Sequence, residues 1–214
     1  NDHMPSILRK IKTGQSLARF VERTGLSEKQ FIALTKKLKD RKGEVKPAIE
    51  RLSRIALVSG VPMASHDDET SEKRNFFDKI GCKIAEFPLR EEAINEAATL
   101  QNNIILGAPN IIRGGSHMGA SGLSATDNIR KGLGNILCSD YYYPSLINAP
   151  AVLAKKEIMD FPCAWDMVSK NAAHAANLFD RGEIVEGKRA DLVLLDSTGP
   201  RYSMLVATLV AGNV

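Results

Sequence analysis

Apolar positions follow two spacings along this chain, a helical one first and then short runs, and the change divides it. Across 15–39 the apolar residues Leu17, Phe20, Val21, Leu26, Phe31, Ile32, Leu34 and Leu38 recur near helical spacing, broken at Thr24-Gly25 and restarted at Ser27, a serine placed to cap. That spacing predicts two helices joined by a tight turn. Residues 47–54 predict another helix, leading into a strand over 55–58. Beyond it, apolar runs bounded by Gly, Pro and polar residues predict buried strands at 83–87, 103–106 and 136–138. Helices are predicted between them over 69–80, 90–100 and 124–133, the last capped by a serine or threonine.

Strands joined by helical crossovers of a dozen or more residues run parallel, so the fold class is α/β. Four such strands fit an open doubly wound sheet or half of an eight-stranded barrel. Polar residues at nearly every strand end favour the barrel, whose loops at the carboxyl ends of the strands converge on one mouth. From Asp180-Arg181-Gly182-Glu183-Ile184 the pattern changes to short Gly-bounded runs, which predict strands of a small β unit. The organisation expected is a partial (β/α) barrel over 1–178, with a helical insertion at about 9–54, followed by β strands over 179–214.

Composition narrows the class. With 214 residues and 43% hydrophobic content the chain can bury a sizeable core. Cys82, Cys138 and Cys163 are odd in number with no C-x-x-C spacing, which predicts reduced thiols and a cytoplasmic address and excludes a zinc finger. The apolar run 204–212 is too short to cross a bilayer, and the N-terminus lacks a charged-then-apolar signal pattern. A chain opening on Asn1 rather than methionine is read as processed or incomplete.

The net charge of +4 is concentrated in 9–54, where Lys and Arg far outnumber Asp and Glu. Such a segment suits nucleic acid, an anionic membrane or a polyphosphate, and 16–39 has the outline of a helix-turn-helix. The plainer expectation, a solvated helical insertion, ranks ahead.

Chemistry gathers at the predicted strand ends. His66 with Asp67 and Asp68, then His117, then Asp140, form the titratable set. Imidazole with carboxylate suits a divalent first-row metal that activates water, which points to a hydrolase. Arg113-Gly114-Gly115-Ser116 offers a guanidinium and, through the glycines, backbone N–H groups suited to phosphate oxygens, although a glycine pair is more often a turn. No role is assigned to Trp165 or to Tyr141-Tyr142-Tyr143.

Three phrases carry a resemblance: Ala64-Ser65-His66-Asp67-Asp68; Gly107-Ala108-Pro109-Asn110 with Arg113-Gly114-Gly115-Ser116-His117; and Ser139-Asp140-Tyr141-Tyr142. They resemble the PhnM family of ribose 1-methylphosphonate 5-triphosphate diphosphatases, within the amidohydrolase superfamily. The tail from Arg181 to Val193 looks like that superfamily's return from barrel to β-sandwich. The likeness runs from about His66 onward, with Asp2-His3 as a shorter match. It implies that His3 is the metal histidine after the fifth barrel strand, His66 that after the sixth and Asp140 the aspartate after the eighth, with His117 after the seventh.

It further implies a divalent metal of the zinc, manganese or nickel class, held by His3, His66 and Asp140. Asp140 would be the general base, and Arg113, Gly114, Gly115, Ser116, His117 and Asp67 would bind a phosphorylated small-molecule substrate cleaved to release pyrophosphate. The alternatives are an amidohydrolase acting on C–N bonds, or a nucleic-acid-binding regulator using 16–39. The superfamily's first-strand His-x-His pair and fourth-strand lysine have no counterpart here. The chain is therefore expected to be the C-terminal part of such an enzyme, inactive alone, and covered by a complementing N-terminal half or a second copy. No membrane partner is expected.

Overall fold

The computed structural model describes residues 4–116, 119, 122–196, 198 and 203–214. Two compact units divide the chain between Ile55 and Ala56.

The first unit is helical: α1 (Met4–Thr13), α2 (Ala18–Thr24), α3 (Glu28–Asp40) and most of α4 (Val45–Val58). The turn between α2 and α3 forms as its residues dictate. Gly25 takes the left-handed conformation (φ 66°) that closes a helix, and its N–H donates to the Val21 carbonyl. Ser27 then opens α3 with a capping box, its hydroxyl accepting from the Gln30 N–H while the Gln30 side chain accepts from the Ser27 N–H at 2.9 Å. Phe20 stacks on Phe31 at 6.0 Å and Lys10 lies 5.4 Å over the Phe20 ring, while Leu17 and Phe31 are buried. The basic residues of α3 face solvent.

The run 55–58, read as a strand, is instead the last turn of α4. Nothing between Pro47 and Val58 breaks the helix, and a four-residue apolar run has no period of its own to separate strand from helix. The stop comes at Gly60, φ 65°. The first strand is therefore displaced to β1 (Ala64–His66).

From there the second unit alternates: α5 (Ser71–Lys79), β2 (Ile84–Glu86), α6 (Glu91–Thr99), β3 (Asn103–Gly107), α7 (Ala108–Arg113), α8 (Ala125–Arg130) and β4 (Ile136–Cys138). Three more helices follow, α9 (Ser145–Lys155), α10 (Phe161–Asp166) and α11 (Lys170–Ala175). The fold is α/β, with a parallel sheet in the order β1-β2-β3-β4. Register is pinned between β3 and β4 by Asn135, whose Oδ1 accepts from the Ile104 N–H at 2.8 Å while its Nδ2 donates to Asn103. Ile94, Ile104, Ile111, Leu137, Leu153 and Met167 form the core beneath.

Gly134 shows how closely this core is fitted. At φ 100° it holds a conformation that L side chains avoid, and a Cβ there would run into the Leu106 side chain. Gly134→Ala is expected to cost about 1–3 kcal/mol, read as a lower urea midpoint at unchanged slope. A midpoint equal to the parent's would show that the turn has another way through.

The tail is held by charge. Lys188 Nζ donates to Glu183 Oε1 at 2.6 Å and Lys170 Nζ lies 2.9 Å from Oε2, tying 183–188 to α11. These two ammonium groups lower the Glu183 carboxyl from 4.5 to about 2. A depressed carboxyl stabilises the fold fully above its unfolded value and loses that contribution as pH falls from about 4.5 through about 2. Glu183→Gln should therefore lower the unfolding midpoint at pH 7, with the gap to the parent closing on acidification through that window. A gap independent of pH would mean that the carboxylate charge is not what matters.

Beyond it, β5 (Leu192–Asp196) and β6 (Met204–Leu209) make an antiparallel pair with a bulge at Leu194/Leu195. Val193, Leu194, Met204, Leu205 and Val206 are exposed. Among the described residues, no helix is long and apolar enough to cross a membrane.

Candidate active site

Parallel strands that stop in register bring their following residues together, and here they enclose a cavity of about 300 Å³ at the carboxyl ends. His66, the last residue of β1, and Asp140, two residues beyond β4, both line it. Between them stand Asp67, Phe87, Asn110, Arg113, Ser116 and Tyr141. Three residues just past strand ends hold left-handed backbone without being glycine: Asp67 (φ 56°), Phe87 (φ 50°) and Asp140 (φ 48°). Aspartate tolerates this region better than most residues, whereas a phenylalanine there is an outlier, and such strain gathers at ligand sites. The ladder continues into two of these residues, with Asp67 N–H donating to Glu86 O and Phe87 N–H to Ile105 O, both at 3.0 Å.

The His66 ring is bracketed. Asp67 Oδ1 lies 3.2 Å from Nδ1, Glu86 Oε2 lies 3.9 Å from Nε2, and the Phe87 ring meets the imidazole edge-on at 5.4 Å and 89°. Asp68, the other carboxylate of this phrase, turns away from the cavity. It is 1% exposed and pairs at 3.1 Å with Arg74, itself 0% exposed. Ser65 donates to Asp68 Oδ2 at 2.5 Å, and Arg74 donates to Ser65 Oγ and to the Cys82 carbonyl, each at 2.5 Å. Burial pushes the Arg74 guanidinium below its usual value, and the Asp68 carboxylate pulls it back. The Asp68 carbonyl then accepts the Leu89 N–H at 2.8 Å, and Lys73 Nζ donates to the Asp67 carbonyl at 2.8 Å. The loop that aims His66 and Asp67 is thus fastened from beneath.

Asn110 does similar work after β3, its amide donating to Leu123 O and accepting from the Ala125 N–H, both at 3.1 Å. Arg113, at the end of α7, donates through Nη2 to the Tyr141 hydroxyl across the mouth.

The glycine pair departs from its phosphate-cradle reading. Gly114 is the left-handed C-cap of α7 (φ 83°), and the N–H groups of Gly114 and Gly115 both donate to Asn110 O at 3.0 Å. Those donors are already used by the helix end. Both glycines line a separate cavity, with Glu91, Asp127 and Lys131. His3 and His117 lie outside the described residues.

The strand count also changes. Placing His66 after the sixth strand and Asp140 after the eighth leaves room for one strand between them, but two intervene, β2 and β3. Counting back from an eighth strand at β4 makes β1 the fifth.

Glu86 and Phe87 were missed by sequence reasoning. The signal was present, since Glu86 is a polar strand-end residue of the kind that singled out His66 and Asp140. Tyr141, assigned no role from the sequence, lines the cavity and accepts from Arg113.

Among the described residues no group of three or more His, Cys, Asp or Glu side chains is placed to hold a metal ion. His66 and Asp140 fit a divalent ion in donor type, one imidazole and one carboxylate lining the same cavity. The cavity's charge fits as well, with the carboxylates Asp67 and Asp140 outnumbering the guanidinium of Arg113, a balance that favours a bound cation.

No family model matches the chain. It is 43% identical over 150 residues to the alpha-D-ribose 1-methylphosphonate 5-triphosphate diphosphatase of Escherichia coli (strain K12), across 69% of this chain and 39% of that protein. The resemblance read from the three phrases is borne out, and the match spans about two-fifths of that relative's length. Among solved structures the fold is similar to a prolidase complexed with N-methylphosphonate-L-proline, at TM-score 0.55 and 16% identity, covering 78% of this chain and 48% of that one. It is similar also to an uncharacterized protein at TM-score 0.57 and 16% identity, with the same coverage.

Proposed function

We propose that the chain forms part of a divalent-metal-dependent hydrolase of the amidohydrolase superfamily. Its reaction converts a ribose 1-methylphosphonate 5-triphosphate to the 5-phosphate and pyrophosphate in phosphonate catabolism. The observation that carries this reading is the convergence of His66, Asp140 and Arg113 on one cavity at the carboxyl ends of adjacent parallel strands. The 43% identity to a diphosphatase named for this substrate supports it. A sheet ordered β1-β2-β3-β4 without reversal supports an arc of a closed barrel over a doubly wound sheet, whose order reverses at a switch point. In this reading 1–178 belong to the barrel, with a basic helical insertion at about 9–54, and 179–214 to a small β domain. The exposed apolar residues of β5 and β6 support a covering partner, either a complementing N-terminal half or a second copy.

His66 and Asp140 are the described residues that would hold the ion. A bound divalent ion would lower the pKa of a water and offset phosphate charge. Asp140 takes the proton of the attacking water as its oxygen bonds to the α-phosphorus. The bond from that phosphorus to the bridging oxygen breaks, and that oxygen leaves with pyrophosphate. Arg113 meets the phosphate oxygens with its planar fork, and Ser116, in the same lining, adds a hydroxyl donor.

The test is pyrophosphate release by the natural full-length protein, with and without chelator. Activity should vanish on chelation and return with a divalent ion. Hydrolysis that survives complete metal removal would overturn the reading, and steeply salt-dependent nucleic-acid binding without hydrolysis would favour the regulator instead.

A further inference from the structure

The cavity's lining is of two kinds. Beside the charged groups His66, Asp67, Arg113 and Asp140 stand apolar residues, among them Phe87, Pro88, Leu89 and Leu106. Pro88 and Leu106 are buried, whereas Phe87 is only half-buried, so part of its ring is open to the cavity. The ring meets His66 edge-on at 5.4 Å and lies close to Gly107, where an added Cβ would sit 3.9 Å from its Cε1. An aromatic side chain held open beside the candidate metal residues, on strained left-handed backbone, is surface that water leaves readily and that no phosphate oxygen would choose.

Resting on the function proposed above, we infer that Phe87 is a specificity-determining residue. It seats the carbon-bound, uncharged part of the substrate, the C–H face of the pentose next to the scissile phosphoanhydride, while Arg113 and Ser116 take the anionic part. The site on this inference selects organic triphosphates over inorganic ones. A lining made only of cationic and polar groups would bind both alike, because phosphate contacts carry no information about the attached carbon. The apolar side supplies the discrimination.

The test compares two ligands on the natural full-length protein by calorimetry: ribose 5-phosphate, which has the sugar, and inorganic tripolyphosphate, which lacks it. Phe87→Ala should weaken ribose 5-phosphate by on the order of tenfold, the range expected for losing apolar contact in a pocket, and change tripolyphosphate by less than twofold. Phe87→Leu, which keeps bulk, should recover most of the affinity and serves as the control for folding. Equal weakening of both ligands would make Phe87 a support for His66 rather than a substrate contact and would overturn the inference. So would no effect on either, or no binding of ribose 5-phosphate by the parent. Because binding is read without turnover, a parent that binds the sugar phosphate but releases no pyrophosphate would count against the proposed reaction and leave this inference standing.

Discussion

Asp140→Asn should lower kcat for pyrophosphate release by about a thousandfold in the natural full-length protein, within the roughly hundred- to ten-thousandfold contribution of a positioned general base. Asparagine keeps the shape of aspartate and tolerates the same left-handed backbone, so φ 48° at this position should survive the change. What is lost is the anionic oxygen that accepts the proton and that would share a metal with His66 in the same cavity. Metal content should fall along with kcat, while the unfolding midpoint stays within a degree or two of the parent's. A variant keeping more than a tenth of parental kcat would remove Asp140 from the chemistry and leave His66 to be explained alone.

Arg74→Met is expected to have the largest effect on stability, about 3–5 kcal/mol. Methionine fills much of the arginine's volume but removes the buried positive charge 3.1 Å from Oδ2 of Asp68, leaving that carboxylate the more distant Lys73 Nζ, 3.7 Å from Oδ1. It also removes the donors to Ser65 and to the Cys82 carbonyl. The penalty comes from leaving the buried carboxylate underpaired rather than from losing an attraction, and this can be separated experimentally. Arg74→Met combined with Asp68→Leu should be less destabilised than Arg74→Met alone, since removing both charges leaves no buried ion to desolvate. Urea denaturation of the three proteins decides it. A single variant within 1 kcal/mol of the parent would mean that water reaches Asp68. Because the Asp68 loop also aims His66, lost stability should be accompanied by weaker metal binding.

The capping residues are legible in the sequence because their signals are local: Ser27 opening α3, Ser124 before α8, and Gly25 after α2 each need only neighbours along the chain. Strands β2, β3 and β4 were legible for a related reason, as each buried run is bounded by turns. The run 55–58 failed because four apolar residues look the same in the last turn of a helix and in a strand, and the arbiter was the absence of a breaker upstream. Site residues divided in a similar way. His66, Asp140 and Arg113 announced themselves by residue type, and the strand ends brought them together. Asp68 belonged to the same phrase as His66 yet points into a buried ion pair, since a left-handed residue at Asp67 reverses the direction in which the next side chain projects. Gly114 and Gly115 read as ligand contacts but proved to be a helix end, because glycine reports an unusual backbone need without saying whether a ligand or a turn creates it.

The left-handed strand ends also set how this protein can evolve. Relieving Phe87 of its φ of 50° by glycine would remove a local penalty of about 1–2 kcal/mol but strip the aromatic ring from the cavity's apolar lining in the same step. A lineage selected only for heat resistance would gain by accepting that exchange, and a lineage kept under selection for turnover would refuse it. Positions 67, 87 and 140 are then where thermostable variants recovered without an activity screen should be found catalytically silent, so a library for stabilising this fold should hold those three codons constant.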